Sequence, residues 1–264
     1  MNETTISACY VSPSFSKEQF IPNHSFLYVV SGSMEGYDGQ KKYKLQAGEC
    51  VLTRRNRLAK YSKLPDNGVF KKIVILFGQD FLKFFFDTHT YSIKKEKRTD
   101  AFIPLARNPL IENFITSLAP YFTDQGTIDE QFLDVKRNEL LLILLKANPE
   151  LANILFDFSN PEKIDLEEFM HRNFRFNVSI ERFAYLTGRS LSAFKRDFEK
   201  IFKATPSHWL VQKRLEEAYF LIEKEQKKPS DIYLDLGFED FSHFSYSFKK
   251  LFGHPPTQLK KSNS

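Results

Sequence analysis

Two short stretches near the end of the chain carry groups suited to hydrogen bonding and to charge pairing. Ser192, Lys195, Arg196 and Lys200 lie in one; Ser242, His243, Ser245, Tyr246, Lys249 and Lys250 lie in the other. Hydroxyl, imidazole and guanidinium groups reach base edges in a DNA major groove, and ammonium groups meet phosphates. Nothing in the sequence resembles a nucleophile elbow, a P-loop or a paired-carboxylate site, so no enzyme is expected. Cys9 and Cys50 sit in no CxxC or Cys/His cluster, so neither a metal nor a cofactor is expected of them.

Something must hold those groups outward, and the sequence supplies it as a repeat. FKRDFEKIFKATPSHWL (194–210) returns as FSYSFKKLFGHPPTQLK (244–260). Phe194, Phe198, Phe202 and Pro206 recur as Phe244, Phe248, Phe252 and Pro256; Lys200 and Ile201 recur as Lys250 and Leu251. Read as a helix, Phe194, Phe198, Ile201 and Phe202 fall at i, i+4, i+7 and i+8, one buried stripe, and Phe244, Phe248, Leu251 and Phe252 repeat it. The phenylalanines are therefore scaffold. Ser192, Lys195, Arg196 and Lys200 lie largely off the first stripe, and the polar groups of the second stretch lie off its own. Each helix follows a shorter one and a glycine, Gly188 or Gly237. Short helix, glycine-containing turn and amphipathic helix make the helix-turn-helix pattern, whose second helix fits the major groove. Ser179 and Ser190 suit N-caps, although Arg182 stands where a capping box has Glu. Around these units, helices are expected over 165–175, 179–186, 190–202, 206–225, 228–236 and 240–252, with a last turn at 256–260.

These residues together resemble the AraC/XylS family of bacterial transcription regulators. The resemblance covers residues 163–261 and rests on IERFA at 180–184, GRS at 188–190, FKRDF at 194–198, Pro206, RLEEA at 214–218, Ile232, GF at 237–238, SHF at 242–244, FKK at 248–250, FG at 252–253 and PP at 255–256. It implies an all-α DNA-binding domain of two helix-turn-helix units, about 179–202 and 228–252, joined by one long helix. It places the base-facing positions on Ser192, Lys195 and Arg196 in the first unit. In the second it places them on Phe241, Ser242, His243 and Tyr246. Lys249 and Lys250 are the phosphate-contact candidates. Tyr246 replaces an arginine frequent in the family, which points to phosphate or a thymine methyl rather than guanine. Tyr233 replaces a small alanine. The spacing from Gly188 to Phe194 is one residue shorter than from Gly237 to Phe244, so the two turns should not superpose. Double-stranded promoter DNA and RNA polymerase are the implied partners.

Ahead of this domain, residues 24–80 read as β-structure. Strands are expected at 25–31, 50–53 and 69–77, with a hairpin over 34–45 turning at Asp38-Gly39. Their spacing fits a sandwich or a small barrel. LYVVSG at 27–32, the hairpin and LQAGE at 45–49 resemble the cupin-like regulatory domain, which implies a β-barrel. The fold class is thus α+β: a cupin-like barrel with dimerisation helices over 1–156, then the all-α domain. Metal cupins use several His with a Glu; His24 and His89 flank this stretch without forming such a set, and His24 reads as a loop residue. Arg54, Arg55 and Arg57 read as a solvated strand end, with an anionic effector as the alternative. Helices are expected over 79–87, over 109–122 with Asn108 as N-cap, and from 127–129 to 146. Phe132, Val135, Leu140, Leu141, Leu144 and Leu145 give the last of these more apolar surface than one packed face uses, which predicts a homodimer. The basic run at 92–100 reads as a solvated loop, and the interdomain linker falls at 157–163. The effector is either a small molecule in the barrel or a protein partner, as in type III secretion regulators of similar N-terminal sequence.

The bulk numbers agree with this outline. The 264 residues suit one large or two ordinary domains, and 42% hydrophobic with 27% charged residues is ordinary for a globular chain. A net charge of +5 tolerates an anionic partner. The N-terminus lacks the basic and apolar regions of a signal peptide, and no apolar run approaches the roughly 20 residues of a membrane span. The expectation is a cytoplasmic, sequence-specific DNA-binding regulator, an activator, with Cys9 and Cys50 as reduced thiols.

Overall fold

The computed structural model describes residues 5–10, 19–94, 100–124 and 126–259. The chain divides into two compact units, the first built mainly from Phe20–Ser159 and the second beginning at Asn160. Residues 95–99 of the basic run, the Cys9 side chain and Lys260 lie outside the described set.

Among the described residues the first unit has ten strands: β1 (Thr5–Tyr10), β2 (Phe20–Ile21), β3 (His24–Ser31), β4 (Ser33–Tyr37), β5 (Lys42–Gln46), β6 (Cys50–Thr53), β7 (Arg57–Leu58), β8 (Lys60–Leu64), β9 (Val69–Phe77) and β10 (Phe102–Leu105). They form a five-stranded sheet in the order β1-β9-β3-β6-β10, a three-stranded sheet β5-β4-β8 and a β2-β7 pair. The pairings are antiparallel. Alternation along β3 sends Leu27 and Val29 to one face and Phe26 to the other; β6 does the same with Val51 against Cys50 and Leu52. Met34 and Leu45 of the three-stranded sheet join Leu27, Val29, Val51 and Phe70 in one core. On the opposite face, Phe26, Leu52, Ile73, Ile75 and Phe77 pack against helices. The central sheet is therefore buried on both sides.

The expected closed barrel is not what forms. Closure requires the edge strands to pair. Among the described residues, β1 and β10 end one sheet and β5 and β8 end the other, with no ladder joining them. The sandwich arrangement wins because β3 passes into β4 through the single residue Gly32 and changes sheets there. β10 also carries Pro104, which has no N–H to extend a ladder. His24 is likewise not a loop residue: it opens β3 and is 2% exposed.

Helix α1 (Gln79–Thr88) follows β9 directly. Helix α2 (Pro109–Ser117) starts where the Asn108 side chain accepts from the Leu110 N–H. Helix α3 (Glu130–Ala147) starts similarly at Asp129 and buries Leu140, Leu141, Leu144 and Leu145. Phe132, Val135 and Leu142 on the same helix are 42%, 62% and 48% exposed. A short helix α4 (Ala152–Leu155) closes the unit.

The second unit is helical: α5 (Leu166–Asn173), α6 (Ile180–Leu186), α7 (Leu191–Phe202), α8 (Pro206–Glu223), α9 (Pro229–Ile232) and α10 (Phe241–Phe252). The caps expected at Ser179 and Ser190 form, and a third forms at Asp240. Ser179 accepts from Arg182 N–H, Ser190 from Ala193 N–H, and Asp240 from His243 N–H. Each cap satisfies an N–H that the helix itself leaves unpaired. α9 is much shorter than the helix expected over 228–236; the chain after Ile232 is turn leading to Gly237.

Candidate DNA-reading surface

The floor of each candidate reading helix is aromatic. Phe194 and Phe198 of α7 are 0% exposed, as are Phe244 and Phe248 of α10. Trp209 of α8 meets Phe198 edge-on with ring centres 5.6 Å apart and lies 4.6 Å from Phe202. In the second module Tyr219 of α8 takes the corresponding task, 4.9 Å from Phe252 and stacked at 6.4 Å on Phe248. One helix thus floors both modules. The expected stripe is too wide at one place in each copy: Ile201 is 41% exposed and Leu251 44%. Both sit in the last turn beside Phe202 and Phe252, which take the contacts with Trp209 and Tyr219 of α8.

The face opposite that floor is open. Ser192, Lys195, Arg196 and Lys200 of α7 are exposed. Ser242, His243, Tyr246, Lys249 and Lys250 of α10 are exposed too, Tyr246 at 69%. Ser245 is half-buried. Phe241 differs from its neighbours. It is half-buried, edge-on to Tyr233 at 5.6 Å and 5.8 Å from Phe244. Tyr233, bulkier than the alanine of the family pattern, is accommodated by this aromatic contact. His243 is steadied by Phe238, ring centres 5.8 Å apart. No acidic side chain occurs from Phe241 to Phe252.

The turns need glycine for steric reasons. Gly188 has φ +65°, and a Cβ there would lie 2.4 Å from the Glu162 carbonyl carbon. Gly237 has φ +86°, and its Cβ would lie 2.8 Å from the Arg175 carbonyl oxygen. Both positions combine left-handed backbone with close approach of another segment.

Three charged residues support this surface without having stood out as site candidates. Arg214 of α8 is 8% exposed. Its Nε donates to Phe174 O at 2.7 Å, Nη1 to Gly237 O at 2.8 Å and Nη2 to Phe176 O at 2.8 Å. Burial pushes its pKa down to about 10, so it remains a cation at neutral pH. It ties α8 to the turn of the second module. Arg189 and Asp197 form a pair at the first module, Nε to Oδ2 at 3.2 Å. The Arg189 hydrogen bond, with Arg196 adding to it, holds the Asp197 carboxyl below the usual range. Arg214 lies in the RLEEA segment, where nothing marks it as buried; Arg189 and Asp197 sit beside recognised positions and look like ordinary surface charges.

In the first unit the arginine group is not a solvated strand end. Arg54 is 5% exposed. Arg55 donates through Nη2 to Asp157 O at 2.7 Å and Ser159 O at 2.8 Å. The same unit holds a cavity of about 410 Å³ walled by Tyr28, Tyr43, Lys44, Glu49, Arg107 and Glu112, among others. Cys50 is a buried free thiol. No helix among the described residues is long and apolar enough to cross a membrane.

Comparison with known proteins divides the chain at similar places. Residues 24–154 match the family described as the ExsA N-terminal regulatory domain. Residues 183–262 match the family described as a helix-turn-helix domain. The HTH-type transcriptional regulator ExsA of Pseudomonas aeruginosa is 22% identical over 262 residues, covering 97% of this chain and 92% of that protein. The virulence regulon transcriptional activator VirF of Yersinia enterocolitica is 23% identical over 245 residues, 89% of this chain and 88% of its own length. Among solved structures, an apo ToxT from Vibrio cholerae aligns over 97% of this chain and 94% of its own, with 14% identity and a TM-score of 0.45.

Proposed function

We propose, from the premise that this chain belongs to the AraC-type DNA-binding transcription regulators, that it binds promoter DNA as a homodimer and activates transcription. The observation that carries the reading is the doubled surface: two helices with phenylalanine floors, each presenting hydroxyl, cationic or imidazole groups outward. α8 has 18 residues and is about 27 Å long at 1.5 Å per residue, close to the roughly 34 Å of one DNA turn. That length supports placing α7 and α10 in successive major-groove segments. Lys200, Lys249 and Lys250 meet phosphates and give salt-dependent affinity; Ser192, Lys195, Arg196, Ser242, His243 and Tyr246 read bases. Phe241 and Ser245 line the rim of the second surface.

The first unit is the control element. The exposed Phe132, Val135 and Leu142 on α3 support a second subunit as its partner. The cavity, of the size that ligands occupy, supports a small effector. The effector shifts the population of DNA-competent dimers, and RNA polymerase is recruited at the promoter. A protein that reads promoters works in the bacterial cytoplasm, and its task is binding, not catalysis. Genomic-site selection with the whole protein tests this. Recovery of a shared sequence element upstream of genes, bound with affinity that falls steeply with salt, is the expected result. Binding with no preference among genomic fragments would sink it.

A further inference from the structure

A carboxylate on a DNA-reading helix repels phosphate, yet α7 carries Asp197 immediately after Arg196. Its two oxygens have different partners. Oδ2 accepts from Arg189 Nε at 3.2 Å and Oδ1 from Arg196 Nη2 at 3.4 Å. The two arginines differ in setting: the Arg189 side chain is 8% exposed and that of Arg196 is 78% exposed. Arg189 is fixed further by Nη1, which donates to Thr187 O at 2.7 Å and to Ile164 O at 3.0 Å. The result is a line of contacts from the backbone before α5, through Arg189 and Asp197, to the exposed guanidinium.

Exposed surface ion pairs contribute little because both ends are mobile and hydrated. Here one end is immobilised, so the carboxylate has a defined position and Arg196 has a defined resting contact. The long 3.4 Å bond is the weakest in the chain, and it is the one that must break when Arg196 turns to a base. Asp197 is then still neutralised by Arg189. The second module has nothing comparable: Tyr246 and Ser247 occupy the matching positions, and Phe238 follows the turn glycine.

We propose that Asp197 and Arg189 are positioning residues for Arg196, and that they make the first module discriminate bases through it. The proposal rests on Arg196 reading a base. On the correct sequence the guanidinium moves from a prepared position to its acceptor with little ordering left to do. On other sequences Arg196 stays paired with Asp197 and its guanidinium is less available to phosphate, which holds down non-specific affinity. A structural role alone predicts something different: equal loss on every duplex.

The test uses the full-length protein, its selected operator, a set of operators altered one base pair at a time across the first module's segment, and a random duplex. Fluorescence anisotropy is measured for Arg196→Ala, Asp197→Ala, the double variant and Arg189→Lys, which keeps the charge and loses the forked donor set. Asp197→Ala should weaken operator binding about tenfold, a common size for coupled neighbours. It should flatten discrimination at the same base pair as Arg196→Ala and leave random-duplex affinity equal or higher. In the Arg196→Ala background it should change discrimination no further, and Arg189→Lys should flatten the same position. Uniform loss across all duplexes, or penalties that simply add, would overturn the positioning role. If Arg196→Ala flattens one position while Asp197→Ala leaves it intact, positioning alone fails. If Arg196→Ala flattens none, the base-reading role fails with it.

Discussion

Arg196 and His24 show how much a single side chain's meaning depends on its surroundings. Arg196 is exposed on a helix whose other face is packed, so its guanidinium can reach a base without disturbing the fold. Replacing it with alanine should cost about 1–3 kcal/mol at one operator position and nothing comparable on random DNA. Equilibrium binding on both duplexes measures this. His24 is the opposite case. Its Nδ1 accepts the Arg55 N–H at 3.4 Å, which leaves the proton on Nε2, and that atom has no protein partner. Burial, then Arg55 and Arg54, push its pKa down from 6.5 to about 3. The unfolded chain therefore binds a proton between those values that the folded chain refuses. Stability is full above pH 6.5 and falls as the pH drops toward 3, by up to about 1.4 kcal/mol per pH unit from this group. Urea unfolding from pH 7 to pH 4 should show that slope, and His24→Gln should reduce it. An unchanged slope in the variant would remove His24 from the account.

At the scale of elements, the turns decide how the candidate reading helices are presented. Gly188→Ala places a methyl group 2.4 Å from the Glu162 backbone in addition to forcing a left-handed residue. It should destabilise the second unit by about 1–3 kcal/mol or more, and thermal unfolding of the whole protein should show it. The same substitution at Gly253, which also has positive φ but nothing within 4 Å, should cost less. If the two variants melt alike, crowding at the turn is not what requires Gly188. Helix positions were legible in the sequence because caps and stripes agree: Asn108, Ser179 and Ser190 cap as expected, and Asp129 and Asp240 cap as well. Short strands such as β7 and β8 were not legible. KYSKL has no apolar run to mark it as a strand, and the β4 ladder gives it its partner. Ile201 and Leu251 are exposed because periodicity says which side a residue faces and not which of two neighbours takes the contact; Phe202 and Phe252 meet α8 instead.

For the whole molecule, the open question posed by the sequence was where the surplus apolar surface goes. α3 answers half of it, with Leu140, Leu141, Leu144 and Leu145 buried and Phe132, Val135 and Leu142 outside. If that outer face joins two subunits, Val135→Asp with Leu142→Asp should convert a dimer to a monomer in sedimentation velocity. Operator affinity should fall with it, while the far-UV circular dichroism stays unchanged. A monomeric parent protein at tens of micromolar would end the dimer reading.

The sequence by itself determined the two-module plan. A phenylalanine pattern repeated at a fixed spacing admits only one buried face per helix, and that leaves Lys195 and Arg196, or Ser245 and Tyr246, on the other sides. It also marked Gly188 and Gly237 as turns. Tertiary structure alone decided that the first unit is a pair of packed sheets without closure, because strand pairing depends on partners distant in the chain. It alone placed Arg214 on three carbonyl oxygens and Arg189 against Asp197. Such contacts join residues that carry no mutual signal in the sequence, since a buried arginine and an exposed one are written with the same letter.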